Sequence, residues 1–438
     1  MAGMLLLVEA RSQQPPSPAP GPGPALAARV INDLGLRLLK HSGSAKESAS
    51  VDANAGAASA PNALLSPYSI QTALAMTYAG ADGATREEMA RVLAFKEAGD
   101  AIHPSFGSLR QALDGAVLNA SRMTRPAGSG QPGTTVLEPF VLATANRLFG
   151  QKDYAFKLDF VEFTRTVYKA VLQPLDFVGD VPGSIKLING WVEEQTRRRI
   201  QNLIPSDGLD VDTRLVLVNA IYFKAPWAVG FSESRTRPEP FLVLGKDAVI
   251  VPTMVRTGPM GYAENQGFEA VTLPYVAGDL QFLLLLPSKT NGLASMERDL
   301  TVSNLMSNAT LRTREIALHM PRFRLEPPLM LLGQALRGLG MRSAFDKPRG
   351  TANFDRMAAR KPNDYLSISE VFHKTFVAVD EHGTEAAAAT AVSMMTRTSM
   401  PAKPTEALEV RVDRPFLFAI QHRSSGACLF LGRVSDPR

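Results

Sequence analysis

Residues 373–399 read HKTFVAVDEHGTEAAAATAVSMMTRTS and include, at 383–393, the run GTEAAAATAVS of small side chains with a single charge. Such a run makes neither a good core strand nor a good surface helix. In a strand, successive side chains alternate between faces, so Glu385 falls on one, wetter face while the other is small and uncharged. That other face carries Thr384, Ala386, Ala388, Thr390 and Val392. The pattern predicts a strand with one face that can be buried without a steric clash or a buried charge.

The backbone of this run also suits a strand. Gly383 tolerates most backbone conformations, which favours a point where the chain turns into a sheet. No proline lies between Gly383 and Met400, so each residue can donate its amide to a neighbouring strand.

The composition is that of a globular protein. The chain has 438 residues, 45% hydrophobic and 20% charged, and carries a net charge of +5 spread along its length. It has no apolar run near the roughly 20 residues that a membrane helix needs, so no membrane is expected as a partner. It has no block of basic residues, so nucleic acid is not expected either. Cys428 is the only cysteine, so neither an intrachain disulfide nor a thiolate metal site can form.

The N-terminal region predicts a tether followed by one domain. Residues 13–24 read QQPPSPAPGPGP, and such prolines favour a solvated extended chain, so 1–24 is predicted to be a disordered tether. The apolar spacing from Ala25 predicts a first amphipathic helix and the start of a single domain, 25–438. Small, polar stretches at 42–61 and 124–135 predict surface insertions. The apolar N-terminus has no basic region before it, so export is left open.

The remaining pattern predicts an α+β fold. Helical signals dominate the first half, while β-branched or continuously apolar runs dominate the second, without βαβ alternation. These runs lie at 141–149, 214–223, 280–287, 315–325, 371–381, 407–412 and 416–420. Several lack clean alternation, which indicates strands covered on both faces.

No sequence motif indicates an enzyme. The usual nucleophile, zinc and nucleotide motifs are missing, and none of the six histidines has metal-ligand spacing with another. His319 lies in an apolar run and is predicted to be a core histidine. We therefore expect no metal, no cofactor and no catalytic residue.

The only compact basic cluster is Arg197, Arg198 and Arg199, at the end of NGWVEEQTRRRI. With Glu193 and Glu194 toward the start of this pattern, the charges suit a helix dipole. A polyanion or glycosaminoglycan site is the alternative interpretation.

Several stretches, in the same order along the chain, resemble the serpin family. Residues 373–399 are similar to the reactive-centre loop and hinge of serpins, and VRVDRPFLFAI at 410–420 to their C-terminal signature. Further similarities are NALLSPYSIQTALAMTYAGADGATREEM at 62–89, LVLVNAIYFKAPWAVGF at 215–231, GLGMRSAFD at 338–346 and LGRVSDP at 431–437. The resemblance implies a serpin fold with a large mixed sheet, smaller sheets, packed helices and an exposed loop at about 381–404.

The resemblance also implies a function. Serpins are cleaved in the exposed loop by a target protease and insert the N-terminal part of the loop into the main sheet, which traps the acylated protease. A non-inhibitory binding or chaperone protein on the same fold is the alternative, and an unrecognised hydrolase is a third hypothesis. Family resemblance favours a monomer in an extracellular location.

The resemblance assigns roles to particular residues. The hinge comprises Glu381, Gly383, Thr384, Glu385, Ala386, Ala387, Ala388, Ala389 and Thr390. The shutter, a polar cluster under the centre of the main sheet, comprises Ser66, Ser69, Asn189 and His319, and the breach, where insertion begins, comprises Trp191 and Glu381.

The scissile bond usually follows the fourteenth residue after the hinge glycine, which here gives Arg397–Thr398. An arginine at this point predicts a trypsin-like target. The segment that follows is longer than usual, so cleavage after Met394, Met395 or Met400, by chymotrypsin-, elastase- or subtilisin-like proteases, stays open.

Overall fold

A computed structural model of the chain describes residues 23–44, 60–124, 139–243, 247–362, 364–385 and 406–438. Nearly all of the predicted tether, most of both insertions and loop residues 386–405 lie outside this part of the chain. The hinge residues Ala386 to Thr390 and the Arg397–Thr398 bond are among them.

Helices dominate the N-terminal half of the chain, as predicted, and the first begins one residue before Ala25. The α-helices of the described residues are α1 (Pro24–Ser44), α2 (Pro67–Gly80), α3 (Gly83–Val92), α4 (Ile102–Thr124), α5 (Leu158–Tyr168), α6 (Val181–Gln195), α7 (Leu293–Asp299), α8 (Val302–Ser307) and α9 (Gly333–Gly338).

Strands occupy all seven of the predicted apolar runs, although some runs are broken. The strands are β1 (Ala63–Leu65), β2 (Val141–Gln151), β3 (Val171–Leu175), β4 (Leu215–Pro226), β5 (Arg237–Val243), β6 (Asp247–Asn265), β7 (Phe268–Pro274), β8 (Leu280–Pro287), β9 (Arg312–Pro321), β10 (Phe323–Leu325), β11 (Met330–Leu331), β12 (Phe372–His373), β13 (Val377–Val379), β14 (Gly383–Thr384), β15 (Leu408–Arg411), β16 (Phe416–His422) and β17 (Ala427–Val434).

These strands form two main sheets. The larger sheet has nine strands among the described residues, in the order β1-β17-β16-β8-β7-β6-β9-β15, with β5 paired to β6. The second, which we call the hinge sheet, has the order β10-β13-β14-β4-β2-β3. β11 and β12 form a separate pair.

Helices cover both faces of the hinge sheet. Helix α2 is buried on nearly every side and packs against β4 and β17. Helix α6 packs against β2 and β4, where Ile188 and Val192 meet Phe149 and Val218 in a second apolar core. Strands β8, β16 and β17 are buried along their whole length, which confirms that continuously apolar runs form strands covered on both faces.

The expected charge pattern of α6 is wrong. The helix begins at Val181, where the side chain of Asp180 accepts a hydrogen bond from the amide of Gly183, so Glu193 and Glu194 lie in its last turn. Arg197, Arg198 and Arg199 follow the helix instead of ending it. The sequence pattern missed this because the helix starts well before the acidic pair.

Candidate functional site

The first residues of the predicted hinge already form a short strand inside the hinge sheet. β14 pairs antiparallel with β4 on one side and with β13 on the other. Thr384 lies opposite Ala225 of β4 and Val379 of β13. The sheet is therefore parted at this end, and Gly383 and Thr384 occupy the gap.

Thr384 is fully buried against an aromatic wall. Its Oγ1 lies 2.5 Å from Oη of Tyr275, and the ring of Trp227 stacks on that of Tyr275 with centroids 4.7 Å apart. Burial raises the pKa of Tyr275, so its phenol stays protonated and able to donate a hydrogen bond. A small hydroxyl side chain fits against these two rings, whereas a long charged side chain would push the rings out of position.

Gly383 serves a different purpose from the predicted one. Its φ lies outside the left-handed region, so conformational freedom does not explain the glycine. A Cβ at this position would lie 2.1 Å from the carbonyl oxygen of Ala225 and 2.8 Å from Cα of Pro226. The close approach of β14 to β4 therefore requires a residue without a side chain.

Glu385 marks the point where the chain leaves the hinge sheet. Its φ is +51°, a left-handed conformation that strains a residue with a side chain. Its amide donates to the carbonyl of Ala378 over 2.7 Å, and its carboxylate accepts a hydrogen bond from Nε of Arg199. Glu385 is therefore buried rather than on a wet face, because the turn interrupts the strand alternation. Burial raises the pKa of Glu385, while Arg199 opposes the shift.

Trp227, and not the predicted Trp191, contacts the entrance of the hinge. The indole Nε1 of Trp227 donates to the carbonyl of Asp380 over 2.9 Å, and its amide donates to the carbonyl of His382 over 2.9 Å. Trp191 lies on α6, against Phe149. The sequence contained the relevant signal, since Trp227 directly follows the end of β4.

Glu381, the other predicted breach residue, is buried at this entrance. Its carboxylate accepts from Nε of Arg322 over 2.7 Å and from the hydroxyl of Thr236. Burial alone would raise the pKa of Glu381, but the bonds from Arg322 and Thr236 outweigh it and lower the pKa. The bonds from Arg322 and Thr236 thus fix the position of Glu381, two residues before Gly383.

A second polar cluster lies beneath the other end of the gap. The amide of Ser66 donates to Nε2 of His373 over 3.1 Å, and the hydroxyl of Ser66 donates to the carbonyl of Leu429 over 2.7 Å. Ser66 Oγ also accepts from the amide of Ser69 and so caps α2. Burial lowers the pKa of His373 to about 4, so this imidazole is neutral and accepts through Nε2.

The predicted shutter cluster is therefore only half formed. Ser66 and Ser69 lie together, but the histidine beside them is His373. Nδ1 of His319 lies 3.0 Å from the Glu239 carboxylate, near the edge of the nine-stranded sheet. Asn189 exchanges two hydrogen bonds with the backbone of Ile204. The reason is topological: β9 belongs to the other sheet, and the side chain of Asn189 ties down the segment after α6.

A cavity of about 80 Å³ lies beside this cluster. It is lined by the first residues of β4 (215–217), by residues 366–373, by residues of α2 between Ser69 and Thr77, and by Leu209, Phe354 and Met357. The gap between β4 and the chain leading into β13 thus has β14 at one end and incomplete packing at the other.

The fold, with β14 paired between β4 and β13 in the hinge sheet, is the observation against which relatives are compared. The family model described as serpin (serine protease inhibitor) matches residues 32–437, and the chain belongs to the serpin family. Serpins are protease inhibitors rather than enzymes.

Individual relatives agree with this assignment. Plasminogen activator inhibitor 2 of Homo sapiens is 36% identical over 401 residues, which cover 86% of this chain and 94% of that protein. Leukocyte elastase inhibitor of Equus caballus is 36% identical over 385 residues, covering 86% and 93%. An uncharacterized serpin-like protein of Thermococcus kodakarensis is 36% identical over 382 residues, covering 86% and 81%.

Solved structures have the same fold. The structure of cleaved serpin 42Da superimposes with a TM-score of 0.72 at 27% identity, covering 94% of this chain and all of that one (100%). Uncleaved ovalbumin gives a TM-score of 0.71 at 24% identity, covering 95% and 100%. The predicted α+β serpin fold is confirmed.

Two further features are absent from the described ranges. Within them, no helix has the length and apolar character needed to cross a membrane. No cluster of three or more histidine, cysteine, aspartate or glutamate side chains suited to a metal ion occurs in the same part of the chain.

Proposed function

We propose that this serpin inhibits trypsin-like serine proteases as a suicide substrate. The observation that carries the proposal is the position of β14, which already pairs with β4 and β13 on its two sides. Cleavage of the loop would free the residues after Thr384 to continue the same strand.

The register of β14 supports one path for the proposed insertion. Gly383 faces Pro226 and Thr384 faces Ala225, and continuing that register pairs Met394 with Leu215 at the start of β4. The added strand would lie between α2 and α6, where only small side chains avoid a clash. Its alanines and threonines meet that requirement.

The free energy expected from insertion is large on the scale of protein stability. About a dozen new backbone hydrogen bonds at roughly 1 kcal/mol net each amount to about 10 kcal/mol, which is comparable with the whole stability of an ordinary domain. The inserted chain would also fill the cavity beside β4. Filling it should add stability, because empty space in a protein core is destabilising.

The proposed reaction begins as ordinary proteolysis. The protease serine oxygen attacks the carbonyl carbon of Arg397, the bond to Thr398 breaks, and the proton of the serine passes through the protease histidine to the new amine of Thr398. Inhibition results if insertion is faster than hydrolysis of the resulting ester. Cleavage after Met394, Met395 or Met400 would shift the target to chymotrypsin-, elastase- or subtilisin-like proteases.

The test is incubation with trypsin followed by denaturing electrophoresis. A covalent band at the summed mass is expected. Complete cleavage without that band would refute inhibition and favour the binding or chaperone alternative, and turnover of an added substrate by the serpin alone would favour a hydrolase. The monomeric state stays a prediction, as does the extracellular location, which the comparisons do not support.

A further inference from the structure

The segment after α6 is a strained basic loop in front of the hinge. Arg197, Arg198 and Asn202 have φ values of +49°, +62° and +49°, although each has a side chain. Left-handed residues that carry a side chain are strained and cluster at functional sites. Two of the three arginines, Arg198 and Arg199, line one cavity.

That cavity has a volume of about 290 Å³ and is rich in cations. Four basic side chains line it: Arg198, Arg199, Arg324 and Lys374. The lining includes one carboxylate, Glu326, which already accepts a hydrogen bond from Arg324 over 2.7 Å.

The positive charge of the cavity is incompletely neutralised. Among the described residues, no carboxylate pairs with Arg198, and Lys374 Nζ donates to the carbonyl of Gln201 over 2.9 Å. The guanidinium groups of Arg199 and Arg324 lie 5.2 and 4.9 Å from the same Phe376 ring. Holding these cations together costs energy that an anion between them would offset.

We propose that this cavity binds a compact oxyanion, a phosphate or sulfate group, and that Glu385 competes with it for Arg199. Arginine and lysine donors match such a group in charge and geometry. Arg197 is not part of the site, since its guanidinium lies over the ring of Tyr222, 5.8 Å from the centroid.

Competition follows from the shared cation. Arg199 is the ion-pair partner of Glu385, so an oxyanion on Arg199 weakens its hold on the buried carboxylate. By linkage, Glu385 weakens anion binding by the same factor. The occupied site therefore loosens the anchor at the point where the loop leaves the sheet. This consequence for inhibition rests on the proposed function, whereas the binding site does not.

The test measures the binding of tripolyphosphate and of sucrose octasulfate by titration calorimetry in low-salt buffer, because salt screens exposed charges. We expect Glu385→Gln to bind about fivefold tighter or more. Arg198→Ala with Lys374→Ala should bind about tenfold weaker or more. The matched control, Lys289→Ala with Arg298→Ala, removes the same charge from exposed positions outside the cavity and should bind as the parent does.

The single variant Arg198→Gln, with its melting temperature measured, guards against a folding defect. The probe that binds more tightly identifies a phosphate or a sulfate source. Absence of binding by both probes, equal losses in the cavity and control variants, or unchanged affinity in Glu385→Gln would overturn the proposal. Failure to trap trypsin with these affinity ratios intact would refute the proposed function alone.

Discussion

The hydroxyl oxygens of Thr384 and Tyr275 lie 2.5 Å apart at a position that is closed to solvent. This contact holds Thr384, the second residue of β14, between β4 and β13. It also sets a size limit at the entrance of the gap, because the Tyr275 ring is stacked on Trp227 and cannot recede freely.

We expect Thr384→Arg to convert the inhibitor into a substrate. A guanidinium cannot enter the aromatic wall without losing its hydration, which costs several kcal/mol, so insertion would be slower than ester hydrolysis. The measurement is the ratio of serpin consumed to trypsin inhibited, which should rise about tenfold or more. Thr384→Ser keeps the hydroxyl and is the control. An unchanged ratio in Thr384→Arg would contradict the insertion mechanism.

A second prediction concerns the reactive bond. Arg397→Ala should abolish the covalent complex with trypsin, because the deep specificity pocket of the enzyme loses its charged partner. Arg397→Lys should retain the complex. If Arg397→Ala still traps trypsin, the bond is elsewhere, and the mass of the released C-terminal fragment would locate it.

Cleavage of the loop should stabilise the protein. An extra strand worth about 10 kcal/mol is expected to raise the melting temperature by about 10 °C or more. The comparison is between intact chain and chain nicked in the loop by a catalytic amount of protease. Equal melting temperatures would mean that the intact fold stores no energy for inhibition.

Acid should destabilise the fold through His373. Burial lowers the pKa of His373 to about 4, against about 6.5 in the unfolded chain. The unfolded chain therefore binds the extra proton between these values. The stabilising contribution is complete above about pH 6.5 and is lost as the pH falls toward 4, by about 3 kcal/mol.

The measurement for this prediction is the urea midpoint across that pH range. His373→Gln keeps an acceptor for the Ser66 amide but cannot titrate, so its midpoint should depend less on pH. Some dependence should persist, because burial also lowers the pKa of His103 to about 4. An identical pH dependence in the parent and in His373→Gln would contradict the assignment.

Local sequence predicted the helices and strands better than it predicted the contact partners of single residues. The apolar spacing from Ala25 and the runs that form β4, β8 and β16 were sufficient to place those helices and strands. His319 and His373 both lie in apolar runs, and only the packing of α2 against the distant segment that contains His373 decides which one meets Ser66. Likewise, the sequence does not show which of Trp191 and Trp227 contacts the chain before Gly383.

Gly383 illustrates a different limit. The sequence shows a glycine, and both conformational freedom and close approach explain one equally well. Only the 2.1 Å separation between its absent Cβ and the carbonyl oxygen of Ala225 chooses between them. Likewise, the Arg199–Glu385 ion pair joins residues 186 positions apart, so no local pattern could reveal it.

The two-residue length of β14 has a kinetic consequence. In the proposed insertion, the loop does not have to search for its register, because the pairing of Thr384 with Ala225 already fixes which later residues face each other. The conformational entropy needed to bring the start of the strand between β4 and β13 is already lost in the uncleaved molecule. The time between loop cleavage and complete insertion should then depend on how fast β4 and β13 separate. It should depend little on diffusion of the cleaved loop.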